Sequence, residues 1–433
     1  MTAPAALPFS PVADAERAGV LDALRGFALL GILISHVPTM SGYEFLAPHS
    51  QAALDRFGID APLAAVMEFL IRGKFFSLFS LLFGIGFAVQ LQSAARRGAN
   101  FARHFARRLA ILLVLGVVHA SLWYGDILKD YALIGLVLIA TARWHERTVA
   151  LAAISVLALG IVWPILVAAL VGAAAPLPSG SDPGGDFAAL THAFAGADLR
   201  ADVAANLALV RLKALQIVYD GKAVAILAMF LIGALVGQLG LFRTLCAHRR
   251  LFLRVFWMCL PLGVVGNVEL VHLHAVTPDF PPTRMWVIEH ILFAVAVPAM
   301  ALAYASGFAL LWSRGLRPVL QVLAPAGQMA LTTYVSQTLI CIALFYGIGV
   351  GLHGKVGFAD GTLIAMAIFS LQCAMSRVWL RHFRFGPLEW LWRCGTYGKW
   401  FPFAVETFNG HASTPVRTTT QGASDPISIT LEN

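Results

Sequence analysis

Charge is what this chain has least of. Only 12% of its 433 residues are Asp, Glu, Lys or Arg, while 59% are hydrophobic. A soluble domain carries about twice that charged fraction. With a mean hydropathy of +0.76, the composition excludes a soluble globular enzyme and reads as a polytopic membrane protein. The net charge of +8 does not call for a nucleic-acid partner, because membrane proteins hold their Lys and Arg in cytoplasmic loops. No zinc-ligand spacing, phosphate-binding loop or dinucleotide fingerprint occurs, so no metal or nucleotide-cofactor domain is read here. An internal repeat is also missing. Cysteine is scarce: Cys246, Cys259, Cys341, Cys373 and Cys394 all fall in apolar spans or basic loops, which argues against a disulfide framework.

Apolar windows recur at 19–38, 73–93, 107–124, 127–142, 149–172, 222–241, 251–271, 287–311, 327–349 and 361–380. They predict an all-α bundle of about ten transmembrane helices. The basic loops RRGANFARHFARR, RWHER, FRTLCAHRRLFLR and SRGLRP alternate with less basic ones, which places both termini in the cytoplasm. Residues 1–16 read as a flexible lead and 17–400 as one bundle domain. The stretch around RVWLRHFRFGPLEWLWRCGTYGKWF reads as an interfacial helix, and 401–433 as a polar, disordered tail. Between spans, 173–186 is a Pro/Gly/Ser linker, and 187–221 is an amphipathic segment along the outer surface or a re-entrant one. Ser77, Ser80 and Gly84, and the pair Gly233/Gly237, are small residues at helical spacing and mark close helix contacts.

Against this background the span LDALRGFALLGILISHVP stands out, since it carries Asp22, Arg25 and His36. Ionisable groups in hydrocarbon are costly and normally face a bundle interior or a wet cavity. Asp22 and Arg25 are three apart and can pair. Arg25 and His36 are eleven apart, on the same face and roughly 16 Å apart along the axis. A second cluster follows in LGVVHASLWYGDILKDYALIG, where His119 near the outer end of one span precedes Asp126, Lys129 and Asp130 in a turn. A histidine beside a carboxylate has its tautomer fixed and its basicity raised, as a general base requires. Arg72 and Lys74 stand at the outer edge of the 73–93 span, placed either to snorkel to headgroups or to bind an anionic substrate. Gln328, Thr332, Thr333, Ser336 and Gln337 form a polar stripe, and Asn267, Glu269, His272, His274, Glu289 and His290 add polar groups near the outer surface.

Four strings, LDALRGFALLGILISH, GKFFSLFSLLFGIGF, LGVVHASLWYGDILKDYALIG and GQMALTTYVSQTLICIALFYG with GPLEWLWRCGTYGK, together resemble the YeiB-like membrane proteins over most of residues 17–400. That family is usually grouped with bacterial family-three O-acyltransferases and the lysosomal heparan-α-glucosaminide N-acetyltransferase. In the former an arginine in the first span is followed eleven residues later by a histidine needed for transfer, and Arg25 and His36 match that spacing. Many YeiB-like proteins carry Asn at the latter position, so His36 favours the O-acyltransferase comparison. The lysosomal enzyme's loop histidine has its nearest counterpart in His49. The resemblance implies a multi-pass protein of the bacterial inner membrane that moves an acyl group, acetyl first, from cytoplasmic acyl-CoA to an outer hydroxyl or amine. Arg25 would meet the donor phosphates, with His36 or His119 as base. Asp22 or Asp126 would orient that base, and Tyr334 or Gln337 would stabilise the oxyanion. A transporter or flippase for an anionic or lipid-linked substrate, and a scaffold with these charges as assembly glue, are the competing readings. Implied partners are membrane lipid and a small-molecule, glycan or lipid-linked acceptor; nucleic acid is excluded and a homodimer is left open.

Overall fold

The computed structural model describes residues 19–96, 100–173, 192–277 and 282–405. The expected lead at 1–16, nearly all of the linker at 173–186 and the tail from 406 onward lie outside these residues. The architecture is an all-α membrane bundle, with no strand among the described residues. In chain order its helices are α1 (Gly19–Met40), α2 (Pro48–Leu54), α3 (Asp60–Leu70), α4 (Lys74–Arg96), α5 (Phe101–Leu122), α6 (Leu128–Ala140), α7 (Glu146–Ala173) and α8 (Leu199–Tyr219). They continue as α9 (Lys222–Gln238), α10 (Arg249–His274), α11 (Arg284–Leu311), α12 (Ala324–Gln328), α13 (Ala330–Phe345), α14 (Phe358–His382) and α15 (Pro387–Tyr397).

Every apolar window read from the sequence holds a helix, but not every helix can cross a bilayer alone. Seven membrane-length apolar segments occur among the described residues, or up to eight if α8 and α9 count as one bent span. The shorter members are α6 with 13 residues, α13 with 16 and α9 with 17. A 13-residue helix rises about 20 Å, well short of roughly 30 Å of hydrocarbon. The short helices are nonetheless core elements, with Tyr131, Phe230 and Phe345 almost wholly enclosed.

The basic segment FARHFARR, read as loop, is the first two turns of α5. Asn100 caps it, its side chain accepting the Arg103 N–H at 3.3 Å, which satisfies one of the free donors at a helix start. Arg108 is thereby carried into the bundle. The segment before α9 is a helix as well, and α8 meets α9 at a 67° bend. Gly221 sits at that bend with φ +69°, a left-handed conformation that residues with a Cβ rarely adopt.

Close helix contact is made at small residues. A Cβ on Gly84 would lie 2.1 Å from the Phe230 carbonyl oxygen, and one on Gly233 would lie 2.1 Å from that of Leu81. Backbone therefore meets backbone along the α4–α9 seam. The same holds where α1 crosses α12: a Cβ on Gly26 would meet the Leu323 oxygen at 2.2 Å. Gly233→Leu is expected to destabilise the bundle by about 3 kcal/mol, the upper end of ordinary overpacking. Gly160→Ala, whose added Cβ meets nothing closer than 3.6 Å, should not lower the thermal unfolding temperature in detergent.

Candidate functional site

Two adjacent polar regions lie inside the bundle. The first is a cavity of about 300 Å³ bounded by α1, α4, α5, α6, α9, α13 and α15. Leu21, Asp22, Arg25 and Ile32 bring one face of α1 to it. Arg25 Nη1 donates to Asp22 Oδ1 at 2.6 Å. The second Asp22 oxygen is buried with no protein donor, so this carboxylate beside the cavity has one acceptor unused. Arg108, Arg243, Arg393 and Gln90 line the same end, and Phe79, Phe83, Phe105, Leu112, Leu128 and Tyr131 form apolar walls. A pocket with a cationic end and an aromatic interior accepts an amphiphile with an anionic head.

α15 completes the cationic end: it supplies Arg393 and docks on the bundle against Arg108. The Trp392 indole Nε1–H donates to the Arg108 carbonyl at 2.8 Å, and the Arg108 guanidinium stacks 3.4 Å from the centre of that ring. Glu389 accepts the Leu331 and Thr332 N–H groups at 2.6 and 3.0 Å and the Thr332 hydroxyl at 2.6 Å. It thus caps α13 from a different helix. Burial pushes the Glu389 carboxyl above the ordinary carboxylate value, against the pull of these donors.

The second region centres on His119. Its Nδ1 meets Asp126 Oδ2 at 2.7 Å and its Nε2 meets Thr338 Oγ1 at 2.9 Å. The other Asp126 oxygen accepts the Lys129 N–H at 2.9 Å, and all three side chains of the His119 chain are buried. With the carboxylate as acceptor, the Nδ1 proton is retained, Nε2 keeps its lone pair, and the Thr338 hydroxyl donates to it. His36 lies beside this group. Trp123 stands between the two imidazoles, its ring 4.2 Å from that of His36 and 6.3 Å from that of His119. Tyr334 joins the two regions: it lines the cavity and its ring lies 5.1 Å from His119 and 6.3 Å from His36. Its hydroxyl accepts the Ile127 N–H at 3.4 Å, leaving its own proton for another acceptor.

The structure therefore gathers Asp22, Arg25 and Tyr334 at the cavity and His119, Asp126 and His36 just beyond it. Neither imidazole lines the cavity. Asp22 is engaged by Arg25, several turns from His36, so it does not orient that imidazole; a carboxylate supports His119 alone. Gln337 does not face the cavity either, since its amide donates to Gln372 Oε1 at 3.2 Å, which makes that part of the polar stripe helix glue. Arg72 pairs with Glu68 at 3.0 Å and the buried Lys74 ammonium donates to the Glu68 carbonyl at 2.8 Å. These cations pin α3 to α4 and do not enter the cavity. His49 is exposed on α2. Near the α10–α11 turn, His274 pairs with Glu289 at 3.0 Å and His290 stacks on Trp286 at 3.9 Å. No set of three His, Cys, Asp or Glu residues is placed to hold a metal among the described residues.

Sequence reasoning missed Arg108, Glu389, Arg393 and Thr338. The run EWLWR was the available signal for Glu389 and Arg393, and the basic stretch FARHFARR for Arg108; a single threonine in an apolar helix gave none. Glu389→Ala leaves three donors at the start of α13 without an acceptor. It is expected to cost about 2 kcal/mol or more and to lower the unfolding temperature, with Glu389→Gln recovering most of the loss.

Residues 236–399 match the family model described as "Protein of unknown function (DUF418)". Over 421 residues the chain is 31% identical to the uncharacterized protein YxaH of Bacillus subtilis (strain 168), covering 92% of this chain and 98% of that protein. It is 30% identical over 394 residues to the uncharacterized protein YeiB of Escherichia coli (strain K12), covering 87% and 96% respectively. No solved structure matches the chain. Similarity at this level along nearly the whole of both relatives makes the chain a member of the YeiB-like DUF418 family.

Proposed function

We propose that this protein is a membrane-bound acyltransferase of the bacterial inner membrane. It takes an acyl group, acetyl in the simplest case, from cytoplasmic acyl-CoA and passes it to a hydroxyl or amine on the outer side. One observation carries the reading. A cavity with Arg25, Arg108 and Arg393 at one end has aromatic walls and ends at Tyr334, directly beneath a buried His119–Asp126 pair. An acyl-CoA has the matching layout, with anionic phosphates at one end and a thioester at the tip of a long, weakly polar arm. The arginines hold the phosphates through charge-assisted hydrogen bonds, and the arm lies along the aromatic walls. His119, its tautomer set by Asp126, is the general base. The Tyr334 hydroxyl is the donor to the developing oxyanion. His36 borders the outer approach beside Trp123, where the acceptor enters.

A second reading, a carrier for an anionic amphiphile, is favoured by the 67° break between α8 and α9, since transporters often place broken helices at their binding sites. The two readings separate on whether a covalent bond changes hands. With labelled acetyl-CoA and membranes from a strain lacking the chromosomal gene, His119→Ala should lower label transfer about a hundred- to ten-thousand-fold. Its affinity for acetyl-CoA should stay within a few-fold of wild type. Arg108→Ala should instead weaken donor binding by roughly tenfold, the loss of one charge-assisted contact. Transfer by His119→Ala at the wild-type rate, or movement of the label without acylation, would rule the enzymatic reading out.

A further inference from the structure

Hydroxyls inside these helices are mostly spent on their own backbone. Ser80, Ser313, Thr362 and Ser370 each donate to the carbonyl four residues earlier, at 2.7 to 2.9 Å. Such back-bonding is how a Ser or Thr ordinarily satisfies itself in an apolar helix. Thr338 departs from that habit. Its hydroxyl, buried at 2% exposure, is paired with His119 Nε2 at 2.9 Å. Asp126 holds the proton on the opposite ring nitrogen, so Nε2 is the acceptor and the Thr338 proton already points at a base. Carboxylate, imidazole and hydroxyl in a hydrogen-bonded row is the arrangement that activates an oxygen nucleophile, whatever fold carries it. Position adds to chemistry. Thr338 lies one helical turn beyond Tyr334 on the same face of α13, and Tyr334 borders the cavity, as do Ile127 and Leu128, the two residues after Asp126.

We propose that Thr338 is an acyl-carrying nucleophile, forming a transient threonyl ester that relays the acyl group from the cavity to the outer acceptor; this rests on the acyltransferase reading above. In the first half-reaction the thioester carbonyl enters past the Tyr334 ring, and the Tyr334 O–H donates to its oxygen. Thr338 Oγ1 adds to the carbonyl carbon while His119 Nε2 takes the hydroxyl proton. The carbon–sulfur bond then breaks, and the thiolate leaves with the proton returned by His119. The products are a threonyl ester and free thiol, with His119 neutral again. In the second half-reaction an acceptor hydroxyl or amine on the His36 and Trp123 side gives its proton to Nε2 and adds to the ester carbonyl. The bond to Thr338 Oγ1 breaks, and that oxygen is reprotonated by His119. No oxidant or reductant is needed. The relay also accounts for Tyr334 bordering both the donor cavity and the His36 region: each substrate visits the same carbonyl carbon in turn, from its own side.

The test uses the full-length protein in lipid nanodiscs, mixed with isotopically labelled acetyl-CoA and no acceptor, quenched in acid and digested. The expected result is one acetyl group on the peptide containing Thr338, released by hydroxylamine, and a stoichiometric burst of free CoA. Thr338→Val should lose both and lower steady-state transfer about a thousandfold, while still binding acetyl-CoA. Thr338→Ser should keep the adduct and most of the rate. Label on another residue, no burst in an active wild-type protein, or near-wild-type transfer by Thr338→Val would overturn the relay and leave the acyltransferase reading standing. Where Thr338→Val fails to fold, the wild-type adduct and the Thr338→Ser rate decide the matter. A wild-type protein that neither binds acetyl-CoA nor transfers its acyl group would bring down both.

Discussion

The close approach of α1 to α12 is the constraint on which the rest of the site depends. A Cβ on Gly327 would fall 1.8 Å from the Asp22 carbonyl oxygen, so the two backbones touch where α1 carries its ion pair. That contact fixes the rotation of α1. Arg25 and Asp22 are turned onto the cavity, and the rest of the helix is sealed by Leu24, Leu29 and Leu33. An isolated charge in this position would cost several kcal/mol; paired, and set at the cavity's charged end, it becomes tolerable. The α4–α9 seam does the same for the opposite wall, bringing Gly86 and Gly237 to the cavity edge.

Polar groups in this bundle fall into two kinds, and their hydrogen bonds tell them apart. Gln337 with Gln372, Lys74 with Glu68 and Glu389 at the start of α13 are tied to fixed partners. They join helices that would otherwise meet only through apolar packing. The second kind keeps a valence that no protein group uses: the second oxygen of Asp22 and the Tyr334 hydroxyl proton. Groups of the second kind can meet a ligand without first giving up a protein partner.

The cavity and the His119 group are neighbours rather than one chamber. Tyr334 borders both, so its ring links the arginine side to the imidazole. The His119 and Thr338 side chains beyond it are buried, and in so dry a region every electrostatic contact is stronger than it would be in water.

Hydropathy and charge alone established a helical membrane bundle, the positions of its apolar helices, and the Asp22–Arg25 and His119–Asp126 pairs. These follow from period, spacing and the cost of charge in lipid, which are local properties of the chain. Three features were not legible. FARHFARR reads as a loop by charge but is helix because Asn100 caps it. The segment EWLWR reads as an interfacial helix, yet it docks on Arg108 and completes the cationic end of the cavity. Thr338 reads as one more polar residue in an apolar helix, and its pairing with His119 joins positions 219 apart in sequence. Each depends on which helices lie side by side and how each is rotated. That is settled by backbone contact at glycines and by capping between distant helices, and no window along a single sequence contains it.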